Sequence, residues 1–235
     1  MLVILKALVL LVGLPAAVLA AEATRLPGEA EYQQGVAILS ETDPQVVELL
    51  RAFHANNNAK GSEGLMESLR EKNTRAVQLL SESSALGHPV AQYRLALYYQ
   101  AYLVPNDEKV CELYKSSLAQ GFAPAALRVG SACKIYTLGP EYMPLLEEAL
   151  DRFPRFAKYY PQPTVYLECG KSTPKDVELQ WGRQNDYLAE LYKLMASQFD
   201  RTTAMPKRID YLEKAVATNG CPSAQKKLEI YQSPK

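Results

Sequence analysis

Residues 74–99 read T-R-A-V-Q-L-L-S-E-S-S-A-L-G-H-P-V-A-Q-Y-R-L-A-L-Y-Y, and this stretch decides the fold. Its apolar residues recur three and four positions apart on both sides of Gly87, which indicates two amphipathic helices. We expect Gly87 to end the first helix in the left-handed conformation, which glycine adopts at low cost. Pro89 is expected to begin the second helix, where its missing N–H is not needed. The stretch therefore predicts a helical hairpin.

The same turn occurs twice more along the chain. Residues 87–91 (GHPVA) are followed 34 residues later by 121–125 (GFAPA), and 99 residues after that by 220–224 (GCPSA). Each copy has a proline two or three positions after the glycine and an alanine four positions after it. A period in the thirties is typical of stacked helical hairpins.

Residues 74–99 resemble the repeats of the Sel-one-like family, a subfamily of tetratricopeptide repeats. Residues 108–130 match this pattern second best, and residues 207–231 resemble a terminal copy. The resemblance implies an all-α fold in which antiparallel helical hairpins stack into a short curved solenoid stapled by disulfides. It also implies a protein-binding function, because the concave face of such a solenoid presents side chains to a partner.

The first twenty residues are predicted to be a cleaved signal peptide. Lys6 is the positive charge of the leading segment, residues 7–14 are apolar, and small residues precede a cut after Ala20. The alternative is an uncleaved anchor, but the apolar run of residues 7–21 is shorter than the roughly 20 residues that span a bilayer. We therefore expect export to the periplasm, with no membrane span after cleavage.

Export makes disulfides the expected state of the four cysteines, Cys111, Cys133, Cys169 and Cys221. No pair has the C-x-x-C spacing of redox or zinc sites. Cys111 and Cys133 flank the turn at Gly121 at nearly equal distances, so a hairpin would place them opposite each other. This favours Cys111–Cys133 and, by elimination, Cys169–Cys221, while Cys133–Cys169 remains the rival pairing.

The sequence divides the whole chain into five expected segments. We expect a signal peptide (1–20), a helical lead-in (21–61), two Sel-one-like repeats (62–136), an irregular Pro/Tyr-rich repeat or insertion (137–173), and C-terminal helices with a last degenerate repeat (174–235). Asp43 and Pro44 are predicted to cap and begin a helix, and Ser62 to cap another. Pro174 is predicted to begin a long helix that contains Trp181.

Composition restricts the classes of function that fit this chain. The 235-residue chain has 26 basic and 26 acidic side chains, and this neutral balance argues against a nucleic-acid-binding protein. Fifteen tyrosines against five phenylalanines favour amphipathic aromatic surfaces over a dry aromatic core. Because aromatic residues dominate interface hot spots, the candidate partner-binding residues are Tyr98, Tyr102, Phe156, Tyr159, Tyr160 and Trp181.

Enzymatic chemistry has little support in the sequence. The two histidines are His54, expected at the surface or core edge, and His88, expected as a turn and cap residue. No nucleophile elbow, zinc-protease motif, phosphate-binding loop or dinucleotide fingerprint occurs. We therefore expect a binding protein with no catalytic residues, no cofactor and no metal.

Two partner classes remain open. Small exported Sel-one-like proteins include immunity partners of phospholipase effectors that the type VI secretion system delivers, so the resemblance implies an immunity protein that neutralises one toxic effector. The alternative is an envelope scaffold or adaptor that assists assembly of a secretion, polysaccharide or motor complex.

Overall fold

The computed structural model describes residues 25–56, 63–102, 107–133, 137, 139–170 and 179–233. The predicted signal peptide lies outside these residues. The elements in chain order are α1 (Glu29–Asn56), α2 (Glu63–Ala85), α3 (Pro89–Tyr102), α4 (Asp107–Ala119), α5 (Ala123–Ala132), α6 (Tyr142–Asp151), a 3-10 helix (Phe153–Tyr159), β1 (Gln162–Thr164), β2 (Gln180–Gly182), α7 (Gln184–Gln198), α8 (Met205–Asn219) and α9 (Pro222–Gln232).

Consecutive helices form antiparallel hairpins. Each of α1 to α4 lies against the helix that follows it, and α7, α8 and α9 repeat this arrangement. The two groups join where α5 and α6 contact α7, while α6 also lies against α4. The predicted all-α class with hairpin packing is therefore confirmed for the described residues, and the continuous curvature of a solenoid stays a prediction.

The three repeat turns have the predicted geometry. Gly87, Gly121 and Gly220 all have positive φ angles, of 92°, 87° and 75°. Helices α3 and α9 begin at Pro89 and Pro222, as predicted. Local sequence therefore determines where these hairpins turn.

The prediction of a helix start at Asp43 and Pro44 is wrong. Helix α1 begins at Glu29 and continues through Pro44. Just before Pro44, the fully buried Thr42 donates a 2.7 Å hydrogen bond to Asn73 of α2. Packing against α2 stabilises this helix, and this outweighs the backbone hydrogen bond that proline removes.

The prediction that Trp181 lies in a helix is also wrong. Trp181 lies in β2, opposite Pro163 of β1 in a short antiparallel ribbon, and α7 begins only at Gln184. Pro174, the predicted helix start, lies outside the described residues. Gly182 permits the ribbon to approach the core, because a Cβ there would lie 2.5 Å from both Leu167 and Tyr187.

The aromatic core is rich in tyrosine, which corrects the expectation from composition. Tyr93, Tyr114, Tyr142 and Tyr187 are among the largest fully buried side chains. Their hydroxyls find polar partners inside the protein: that of Tyr93 donates to the Pro163 carbonyl at 2.7 Å. A buried tyrosine is tolerated where its hydroxyl is hydrogen-bonded.

Both favoured disulfides are present, Cys111–Cys133 and Cys169–Cys221. The first links α4 to the end of α5, and the second links the loop after β1 to the start of α9. Two disulfides indicate an oxidising, exported environment. Among the helices of the described segments, none combines the length and apolar character needed to cross a bilayer.

Candidate functional site

An open groove of about 960 Å³ lies where the irregular segment meets the C-terminal helices. One wall comes from the end of the 3-10 helix and the residues before β1. The opposite side comes from β2, the first turn of α7 and the last turn of α8. The lining residues are Ala157, Tyr160, Pro161, Trp181, Arg183, Gln184, Asn185, Asp186, Thr218 and Asn219.

Trp181 is the most prominent side chain of this groove. It is the only tryptophan in the chain, and it is 46% exposed although it belongs to a strand whose neighbours are buried. The guanidinium of Arg94 lies 5.4 Å from the centre of its ring, and Arg94 itself is only 5% exposed. This cation–π contact orients the indole from the protein side, and the residue remains half-exposed.

The far end of the groove is held by a hydrogen-bonded junction around Asp186. One carboxylate oxygen of Asp186 accepts the backbone N–H of Arg183 at 2.9 Å, which caps α7. The other oxygen accepts a 2.9 Å bond from the amide of Asn219, which also donates to the Cys169 carbonyl at 2.8 Å. The start of α7, the end of α8 and the Cys169 loop are thereby tied together.

A buried ion pair also stabilises the loop that contains Cys169. Glu190 of α7 is 2% exposed, and its carboxylate accepts the backbone N–H of Cys169 at 2.6 Å. Lys193 lies 2.5 Å from the same carboxylate and 2.9 Å from that of Glu168. The Cys169–Cys221 disulfide is therefore one of several links that hold this part of the molecule in place.

Exposed apolar residues extend the surface beyond Trp181. Val165 and Tyr166 directly follow β1, the partner strand of β2, and both are exposed. Exposed aromatic and aliphatic side chains beside a groove are typical of an interaction surface. Exposed apolar side chains therefore occur in β2 and in the residues that follow β1.

The structure separates the six predicted partner-binding residues. Trp181 and the half-buried Tyr160 line the groove. Tyr98 is half-buried beside a second, small pocket lined in part by Asp43 and Arg94. The side chain of Tyr102 lies outside what the structure describes.

The prediction is wrong for Phe156 and Tyr159, which are buried in the core. Every third residue of the 3-10 helix faces inward, so Phe153, Phe156 and Tyr159 all point to the same side. They contact core aromatics, as Phe156 does with Phe122 at 5.3 Å between ring centres. Aromatic content alone did not reveal this threefold spacing.

Tyr159 belongs to a buried polar cluster around His88. His88 is fully buried and stacks on Tyr32, with ring centres 4.6 Å apart. Its Nδ1 accepts the backbone N–H of Ala91 at 3.2 Å, so the predicted cap role is confirmed. Its Nε2 lies 3.5 Å from the carboxylate of Glu29, to which the Tyr159 hydroxyl also donates.

Burial and hydrogen bonding set the titration of this cluster. Burial lowers the pKa of His88 below its ordinary value and outweighs the opposing effect of Glu29. For Glu29, burial alone would raise the pKa, but hydrogen bonds from Tyr159, Gln33 and Lys158 outweigh it and hold the pKa below its ordinary value. His88 is therefore neutral and Glu29 ionised at neutral pH. The side chain of His54 lies outside the described residues.

Two residues that support the groove were missed from the sequence. Arg94 lies among apolar residues of the helix in the first repeat. A charged residue between core positions was the only sign in the sequence that Arg94 has a specific role. Asn219 precedes the terminal repeat glycine and reads as a turn residue. Its bonds to Asp186 and Cys169 depend on segments distant in sequence.

No known protein family, characterised protein or solved structure matches the chain.

Proposed function

We propose that the protein is an exported protein-binding module whose docking surface is the groove and the exposed face of Trp181. The observation that carries the proposal is the contact between Trp181 and Arg94: a half-exposed indole fixed from behind by a buried guanidinium. Burying such a side chain against a partner gains apolar contact at little entropic cost, because the ring is already oriented.

The polar groups of the groove support binding over catalysis. Both carboxylate oxygens of Asp186 are occupied by hydrogen bonds that hold the fold together. His88, the histidine that the structure places, is buried away from the groove lining and serves as a helix cap. Groups committed in this way serve as a rigid frame for an interface.

The finer proposal is that the partner is a toxic protein and that the protein acts as its inhibitor in the periplasm. It is supported by the resemblance of residues 74–99 to Sel-one-like repeats, a family that includes immunity proteins against type VI phospholipase effectors. The disulfides fit an oxidising compartment such as the periplasm. A rigid aromatic surface inhibits by covering an effector's entrance, with no chemistry of its own.

The test is an affinity capture from the envelope extract of the source cells, using the oxidised mature protein and two variants. Trp181→Ala removes the anchor, and Phe53→Ala removes a comparably exposed aromatic side chain of α1 that does not line the groove. We expect one stoichiometric partner that is captured by the wild type and by Phe53→Ala and lost with Trp181→Ala.

The identity of the captured protein tests the finer proposal. A single toxic effector, against which expression of this protein protects cells, supports an inhibitor. Capture of several envelope-complex components would contradict the inhibitor and favour the scaffold or adaptor. Equal capture by both variants would contradict the docking surface.

A further inference from the structure

A titratable residue occupies the cap position of only one of the three repeat turns. His88 precedes α3, and the equivalent residues before α5 and α9 are Phe122 and Cys221. Neither of these makes a side-chain cap bond, whereas the ring of His88 accepts the N–H of Ala91. The start of α3 in the first hairpin therefore depends on the protonation state of His88.

The geometry of His88 admits one neutral tautomer. Because Nδ1 accepts the Ala91 N–H at 3.2 Å, this nitrogen carries a lone pair and the proton resides on Nε2. A protonated imidazole has N–H groups on both nitrogens, so it cannot accept the Ala91 bond. Protonation and the cap of α3 are therefore mutually exclusive in this ring orientation.

Charged and titratable groups from two neighbouring elements face the ring. From α1, Glu29 lies 3.5 Å from Nε2 and favours protonation, while Tyr32 is stacked on the ring. From the 3-10 helix, Lys158 lies 3.3 Å from the Glu29 carboxylate and opposes protonation, and Tyr159 meets the ring edge-on. The complete burial of His88 adds to the cost of a positive charge.

The same residues hold the wall of the groove. The Tyr159 hydroxyl donates to Glu29, and the Gln162 amide donates both to the Tyr159 carbonyl and to the Tyr32 hydroxyl. We call Glu29, Tyr32, His88, Tyr159 and Gln162 the His88 clasp. The two residues between Tyr159 and Gln162 line the groove, so the clasp positions that wall from both ends.

We propose that the His88 clasp is a pH-sensitive device: when His88 takes up a proton, the ring keeps its contact with Glu29 but loses the Ala91 cap bond, and the start of α3, which carries Arg94 beneath Trp181, loosens. The docking surface is then complete in neutral surroundings and relaxed in mildly acidic ones. An exported protein meets the pH of its surroundings, which gives the device a biological setting. The inference deepens the proposed function of the groove, but the structural change is measurable with no partner present.

Trp181 provides the probe. Because it is the only tryptophan and lies in the groove, its fluorescence reports this region selectively. From about pH 8 to about pH 5 we expect a reversible change in its emission at nearly constant helix content, with its midpoint below the ordinary histidine range. His88→Asn keeps a cap acceptor for Ala91 and removes the titration, so this variant should lose the change.

His54→Asn is the matched control, since the chain has two histidines, and it should retain the change. The proposal is overturned by a wild type without the emission change, by persistence of the change in His88→Asn, or by its loss in His54→Asn. A failed partner capture would leave these outcomes untouched, so the two proposals fail separately.

Hydrogen exchange in the wild type decides the question if His88→Asn does not fold. The amide of Ala91 is compared with that of Ala125, the equivalent position in the second repeat, which follows the non-titrating Phe122. Taking the ratio of their protection factors removes the common pH dependence of chemical exchange. The ratio should fall as the pH is lowered through the Trp181 transition, and a constant ratio would overturn the proposal.

Discussion

The guanidinium of Arg94 lies 5.4 Å from the centre of the Trp181 ring and joins the first repeat to the β-ribbon. The two residues belong to segments that are far apart in sequence, α3 and β2. A buried cation under a half-exposed indole orients the side chain that we assign to partner binding. The contact makes the orientation of Trp181 in the proposed docking surface dependent on α3.

Arg94→Met tests this dependence, because methionine retains an apolar stem and loses the cation. We expect Trp181 to become more mobile, seen as faster fluorescence-anisotropy decay, and partner affinity to fall by about 1 kcal/mol, about fivefold. Arg155→Met is the control, since Arg155 makes a similar contact with Phe156, 5.8 Å from its ring centre. Unchanged Trp181 dynamics in Arg94→Met would contradict the orienting role.

The buried Glu190–Lys193 pair should be important for stability. Glu190→Ala leaves Lys193 with Glu168 alone and removes the acceptor of the Cys169 N–H. We expect the free energy of unfolding to fall by about 3 kcal/mol, measured by chemical denaturation of the oxidised protein.

The exposed pair between Lys214 and Asp210 provides the comparison for Glu190→Ala. It is also a helical ion pair, with a 2.8 Å separation, but both side chains are largely solvated. Asp210→Ala should cost about 0.5 kcal/mol. If Glu190→Ala and Asp210→Ala lowered the free energy of unfolding by similar amounts, burial would not make the Glu190 pair more important for stability.

Two repeat glycines should differ in their tolerance of alanine. Gly121 and Gly220 both have positive φ, so alanine at either position carries a backbone strain of about 1 kcal/mol. At Gly121 a Cβ would in addition lie 2.8 Å from the Cβ of Arg152, whereas at Gly220 nothing lies within 4 Å. Gly121→Ala should therefore lower the thermal midpoint more than Gly220→Ala does, and the reverse order would contradict the close approach of Arg152.

Stability should decrease with acid in two steps. The pKa of His88 is lower in the folded protein than its ordinary value of 6.5, so below that pH the unfolded chain binds the proton more readily and the free energy of unfolding falls. The pKa of Glu29 is held below its ordinary value of 4.5, so its contribution is present above pH 4.5 and is lost as the pH falls further.

Denaturation curves at a series of pH values measure these two steps. His88→Asn should flatten the first step, near neutral to mildly acidic pH, and Glu29→Gln should flatten the second. A wild-type stability that is constant through the first interval would contradict the burial of a neutral His88.

Local features of the chain were predictable where one short stretch contains the whole cause. The turns at Gly87 and Gly220 followed from glycine and proline spacing, and the Cys111–Cys133 pair followed from its position about one such turn. The cap role of His88 was also local, since its acceptor bond reaches only Ala91. In each case the interacting groups are close in sequence.

Other predictions failed where distant segments outweighed the local pattern. Pro44 reads as a helix start, but contacts with α2 carry α1 through it. Phe156 and Tyr159 read as surface aromatics, but the 3-10 helix turns them into the core.

By itself, the sequence determined the helical hairpins, their turns and the favoured disulfide pairing, because helix periodicity, glycine conformation and loop geometry act over a few residues. Only the tertiary structure decided which aromatic residue lies exposed in the groove. The exposure of Trp181 depends on the β-ribbon, on Arg94 beneath the ring and on the junction of Asp186 with Asn219. These contacts join segments that are distant in sequence, such as α3 and β2, and no local pattern encodes how such segments pack.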